Sequence, residues 1–213
     1  MESSNNLLAA LPVYRPEKVW HVGSLNPAHK NMHGSSQEGT GLSVSECPED
    51  WCYIVRLGGH PTWELERANA QFLDYFALTE PQQEALLAWA IQRGYVQLRD
   101  MFKFTYYDSE ADADRFQLFE TREAAEREAS EYDEAPVEQV TVPYPTQAMH
   151  DRLSFKAEAV SVLDFTATFY IEDETDLDGV WWFEAYAPES SSAPRGVIVP
   201  RRLVEWTRTA VSK

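Results

Sequence analysis

The alternation of apolar and polar positions predicts short strands and helices mixed along the chain, with no repeating unit. Residues 19–22 (VWHV) are β-formers and predict a short strand, and 42–45 (LSVS) alternate and predict a second. Between them, 23–41 is rich in Gly, Ser and Asn and has no hydrophobic period, so it reads as a long loop. Pro48 followed by Glu49 and Asp50 predicts a helix over 48–56, because proline suits a first helical position and acids suit a helix N-terminus. The clearest helix covers 79–93. Thr79 and Gln82 have capping-box spacing, Leu86, Leu87, Ala90 and Ile91 make one apolar stripe, and Gly94 ends it.

Further along, Phe102, Phe104 and Tyr106 alternate with Lys103 and Thr105, as in a strand with one buried face. Strands are also predicted at 116–119, 137–142, 165–171, 180–186 and 196–199, and helices at 121–132 and 201–211. Pro12 and Pro16 make residues 1–17 an extended arm. The elements do not follow a βαβ rhythm, and no linker divides the chain. The expected fold is a single α+β domain over 18–213, with a mostly antiparallel, possibly split sheet flanked by short helices, preceded by the 1–17 arm.

Composition narrows the class. Hydrophobic residues are 44% of the 213, too many for a disordered acidic segment and enough for a real core. The formal charge of −17 argues against coating nucleic acid or an anionic membrane, both of which need positive charge. No stretch nears the 18 or so apolar residues that cross a bilayer, the N-terminus lacks a basic start, and two cysteines fit a reducing compartment. A cytoplasmic location is expected.

The charge is uneven. Residues 108–138 hold twelve acids against three bases, and 172–178 hold five acids and no base. Most such runs are solvated faces, but these two segments also suit a non-enzymatic acidic binding protein or inhibitor that engages a basic partner. At the other end, Arg195, Arg201 and Arg202 could hold a phosphate, although pairing with the chain's own acids is the expectation.

One segment carries chemistry. His21 sits in a predicted strand as His-x-Gly with Gly23, and Gly41 to Ser45 follow as Gly-Leu-Ser-Val-Ser before a Pro-acid-acid-Trp helix start. This pattern resembles the diphtheria-toxin-like His/Glu branch of the ADP-ribosyltransferase superfamily over residues 18–56, with Ser43, Val44 and Ser45 where many members carry a Tyr. The resemblance implies an NAD substrate, with His21, Gly23, Gly41, Ser43 and Ser45 around it and His21 bonding the adenosine-side ribose. It also implies a loop at 24–40 that closes over NAD or admits the target. A catalytic Glu is implied on a later strand. Glu184 in VWWFEAY, on the face of Val180, Trp182 and Tyr186, is the candidate, with Glu189 and Glu205 as weaker rivals. A fixed carboxylate there would stabilise an oxocarbenium-like ribose.

Other chemistries lack their signatures. His29 and His33 are four apart, but Pro27 and Gly34 argue against a helix, and Cys47 and Cys52 lack zinc-knuckle spacing, so no metal is expected. No nucleophile elbow, phosphate loop or dinucleotide-binding glycine loop occurs.

Overall fold

A computed structural model describes residues 7–25, 40–49, 60–109, 112–132, 135–184 and 194–211. Its eleven described strands are β1 Val13–Tyr14, β2 Val19–Val22, β3 Leu42–Val44, β4 Thr62–Glu66, β5 Phe72–Asp74, β6 Val96–Asp108, β7 Ala113–Phe119, β8 Glu138–Pro145, β9 Gly179–Trp182, β10 Arg195–Ile198 and β11 Thr207–Val211. The helices are α1 Glu80–Gln92, α2 Arg122–Ala129, α3 Gln147–Leu153 and α4 Val162–Glu174. The class is α+β. No helix among the described residues is long and apolar enough to cross a membrane.

A central sheet has the order β1-β5-β9-β10-β3, in which β5 and β9 run parallel and the other pairs antiparallel. Every residue of β9 and β10 is buried, as the unbroken GVWW run requires of strands covered on both faces. On one face, Leu73, Val180, Trp182 and Val197 pack against Ala85 and Leu86 of α1 and Ala167 and Ile171 of α4. On the other, Leu42, Val44, Phe72, Trp181 and Ile198 meet Val19 and Leu65 of a second sheet, β11-β4-β2. A third sheet, β7-β6-β8, joins through Val96, which packs with Ala90 of α1, Met149 and Leu153 of α3 and Phe165 and Phe169 of α4. The expected split of the sheet is real, and it has three pieces.

The first two sheets are stitched together. Trp20 and Ser45 exchange both backbone hydrogen bonds, at 2.8 and 2.9 Å, so β2 lies beside β3. A second anchor is Asp178, fully buried just before β9. It accepts from the Arg67 guanidinium, from the Gln71 N–H at 2.8 Å and from the Trp206 indole at 3.3 Å.

Helix α1 forms as its sequence signals demand. Gln82 Oε1 accepts from the Thr79 N–H at 3.0 Å, and Gly94 takes the positive φ of 76° that ends the helix without a Cβ clash. The Gln82 amide also donates to the Ala10 carbonyl. The N-terminal stretch is thereby held down: Leu8 is in the core and β1 pairs with β5.

Two expected elements are corrected. The strand expected at 165–171 is part of α4, and the helix expected at 201–211 is a 3-10 turn at Leu203–Glu205 followed by β11, paired along β4. The strand expected at 180–186 stops at Trp182. Strands β4 and β5 and helix α3 had no counterpart in the sequence pattern. Of the helix expected over 48–56, Pro48 and Glu49 are helical and the rest lies outside the described residues.

Candidate functional site

Of the candidate residues, Glu184 and Ser45 lie at the Arg195 end of the central sheet, where β9, β10 and β3 are in register, while Gly41 lies at the opposite end of β3 beside Ile198 and Gly23 bonds the second sheet. Arg195 is opposite Trp182, and Gly196 is opposite Trp181 on one side and Val44 on the other. Side chains alternate across a strand, so Trp182 and Arg195 point to the helix-covered face together with Val180 and Val197. Ser43, opposite Val197, shares that face.

Glu184 lies two residues beyond the end of β9. Its carboxylate takes a two-pronged bond from Arg195, Nη1 to Oε2 at 2.7 Å and Nη2 to Oε1 at 2.9 Å. The Arg195 side chain is 8% exposed and that of Glu184 20%, so the pair is largely withdrawn from solvent. Ser45 closes the other side. Its Oγ donates to the Pro194 carbonyl at 3.0 Å and accepts from the Cys47 N–H at 3.0 Å, fixing the backbone immediately before Arg195.

A buried carboxyl lies beneath the pair. Asp164, in the first turn of α4, accepts from the Trp182 indole N–H at 3.0 Å and is bonded by the Tyr75 hydroxyl. Burial pushes its pKa up to about 6, against the Trp182 and Tyr75 hydrogen bonds and the Arg195 charge, which favour the ionised form. Burial and the Asp164 charge in turn push the Tyr75 phenol well above its ordinary value. Arg195 stands over the Trp182 ring, 6.0 Å from its centroid, bonded to Glu184, and its charge reaches Asp164.

His21 is 7% exposed on β2, with Nδ1 2.7 Å from the Ser43 carbonyl and Nε2 2.9 Å from the Ser24 carbonyl. Carbonyls only accept, so a neutral ring donates to one of them and only an imidazolium satisfies both. Burial nevertheless lowers its pKa, with the two carbonyls acting the other way. His21 thus ties β2 to β3 and to the start of the following loop. Gly23 is similarly engaged, its N–H on Pro61 and its carbonyl receiving the Trp63 indole. Gly41 is set by packing, since a Cβ there would lie 2.5 Å from the Ile198 carbonyl oxygen.

Of the residues singled out from the sequence, Glu184 and Ser45 lie at this end of the sheet, Ser43 lies further along β3 opposite Val197, and His21 adjoins β3 from β2. Asp164 and Tyr75 were missed. The signal for Asp164 was a lone carboxylate in an otherwise apolar run, VLDFTATFYI. Of the weaker rivals, Glu205 is committed to Arg67 and Arg202, while Glu189 lies outside the described residues, as do residues 26–39 of the expected loop, His29, His33 and Cys52. The expectation that the C-terminal arginines pair internally holds for Arg195 and Arg202, and Arg201 donates to the Ile171 and Thr175 carbonyls.

Comparison with protein-family models, with curated proteins and with solved structures finds no match.

Proposed function

We propose that the chain is an ADP-ribosyltransferase-like protein that takes NAD at the Glu184 end of the central sheet and transfers ADP-ribose to an acceptor. One observation carries the reading: His21 on β2 adjoins β3, Ser45 follows β3, and Glu184, just past β9, reaches Arg195 of β10, the strand between β9 and β3, where it is half-buried. His21, Ser45 and Glu184 are the residues that the resemblance selects.

In the transfer, the bond from ribose C1′ to the nicotinamide nitrogen breaks and nicotinamide leaves with the electron pair. The acceptor's nucleophile bonds to C1′ and gives up its proton. Glu184 would stabilise the positive charge that develops on the ribose and orient the acceptor. Ser43 and Ser45 would line the pocket. His21 would fix the β2–β3 edge, and its Nε2, once released from Ser24, would be free for a ribose hydroxyl.

Isothermal calorimetry with NAD, paired with nicotinamide release, tests this. Heat is expected with the wild type and is expected to weaken in His21→Ala. Glu184→Gln is expected to bind NAD but to release nicotinamide about 100- to 1,000-fold more slowly. No heat at millimolar NAD overturns the reading.

A second reading, the acidic binding protein, is favoured by the outer face of α2, where Glu123, Glu126 and neighbouring Glu131 are exposed. In 108–138, Asp108, Glu120, Glu126 and Glu138 pair with Arg115, Arg99, Arg122 and Lys103. In 172–178, Glu172 and Asp173 are held by Arg152, Glu174 by Arg93 and Asp178 by Arg67. This reading requires association with a basic protein that slows steeply as salt rises, and salt-independent association excludes it.

A further inference from the structure

We infer that Asp164 is a positioning carboxyl of this site: from α4 it holds the indole of Trp182, over whose ring Arg195 stands, so that its charge acts on the grip of Arg195 on the Glu184 carboxylate. The inference rests on the reading of Glu184 as the working carboxylate. It stands on geometry. The Asp164 side chain bonds the indole of Trp182, and Trp182 is the strand partner of Arg195. Arg195 in turn grips Glu184 through both oxygens. The chain Asp164–Trp182–Arg195–Glu184 therefore runs from a helix across two strands.

The groups that act on Asp164 come from each element packed around it: Tyr75 from the 3-10 turn Tyr75–Ala77, Trp182 from β9, Glu184 just beyond it, and Arg195 from β10. On its own helix, Thr168 Oγ1 donates to the Asp164 backbone carbonyl at 3.1 Å, leaving the carboxyl to the other elements. With Asp164 protonated, its pull on the Arg195 guanidinium is absent. With Asp164 ionised, Arg195 feels that carboxylate as well as Glu184, and its hold on Glu184 weakens. Burial places this change near pH 6, inside the range in which an enzyme works.

The test follows the Trp182 indole N–H by NMR across pH 4 to 8 in the full chain, with no nucleotide present. A single titration is expected with its midpoint near 6, absent in Asp164→Asn. Glu184→Gln removes a negative neighbour and leaves Arg195 to Asp164, so the midpoint is expected to fall by about one pH unit. Arg195→Gln removes the positive neighbour and is expected to raise it by a similar amount, about one unit. Neither variant touches Asp164, so the outcome does not depend on the folding of Asp164→Asn. An indole resonance that ignores pH in the wild type, or a midpoint unmoved in both variants, overturns the inference. Where NAD binds, nicotinamide release is expected to rise with pH along the same midpoint and to lose that dependence in Asp164→Asn. A chain with the coupled titration and no affinity for NAD loses the proposed function and keeps this inference. NAD binding without the coupling does the reverse.

Discussion

Arg195 and Glu184 face each other eleven positions apart in sequence, joined through both guanidinium nitrogens at 2.7 and 2.9 Å. The two partners are not equivalent. Arg195 is the more deeply buried, at 8% against 20%, and it has a second carboxylate nearby in Asp164. Glu184→Gln leaves Arg195 beside the Asp164 charge, whereas Arg195→Ala removes the guanidinium that grips Glu184 and offsets the Asp164 charge. Arg195→Ala is therefore expected to destabilise the fold by about 3 kcal/mol or more and Glu184→Gln by about 1 kcal/mol. Urea denaturation of both variants measures this, and equal losses would refute the asymmetry.

Asp164 makes stability depend on pH in an unusual direction for an acid. Its folded pKa is about 6, above the ordinary 3.8, so the folded state holds the proton more tightly than the unfolded chain. The resulting stabilisation is complete below pH 3.8 and is lost as pH rises through 6. Asp164→Asn keeps an oxygen for the Trp182 indole and removes the titration. Its stability relative to wild type is expected to improve by up to about 3 kcal/mol between pH 4 and pH 7.5. Parallel melting curves for the two proteins across that range would contradict the assignment.

His21 works in the opposite sense. Its folded pKa lies below the ordinary 6.5, so the unfolded chain binds the proton more readily. The stability it contributes is present above pH 6.5 and falls as pH drops below it. The protection factors of the Trp20 and Ser45 amides, which correct for the intrinsic slowing of exchange in acid, are expected to fall on acidification below pH 6.5, and to lose that acid sensitivity in His21→Gln. Protection factors that stay constant in wild type down to about pH 5 would show that His21 does not hold this edge.

Two glycines mark where the sheet cannot accept a side chain. A Cβ on Gly179 would lie 1.6 Å from the Val197 carbonyl oxygen, and one on Gly196 would lie 2.3 Å from the Trp181 ring. Gly179 meets backbone, which cannot move without breaking the β9–β10 ladder, so Gly179→Ala is expected to cost more than about 3 kcal/mol. Gly196 meets a ring packed against Tyr14 and Phe72, and Gly196→Ala is expected to shift the tryptophan emission as well as the melting temperature. A Gly179→Ala protein as stable as wild type would contradict the register.

What could be read from the sequence depended on whether an element kept a wet side. Helix α1 has one, and its cap, stripe and terminal glycine predicted it. Helix α4 has almost none: Val162, Asp164, Phe165, Thr166, Ala167, Thr168, Phe169 and Ile171 are all buried, so no polar face marks the helical period. Its β-branched and aromatic residues then imitate a strand. Strand β11 fails the other way, with all five residues exposed and no alternation to signal it. The site divides along the same line. Glu184, Ser43 and Ser45 stand in recognisable motifs. Asp164 and Tyr75 gain their meaning from packing between a helix and a strand, and no local spacing encodes that.

The exchange between Trp20 and Ser45 gives one residue two duties. Through it, β11-β4-β2 and β3-β10-β9-β5-β1 are joined edge to edge as well as packed across a shared core. The Ser45 backbone is part of that seam, and its hydroxyl holds the carbonyl just before Arg195. A shift of the second sheet therefore reaches the Arg195–Glu184 pair through a single residue.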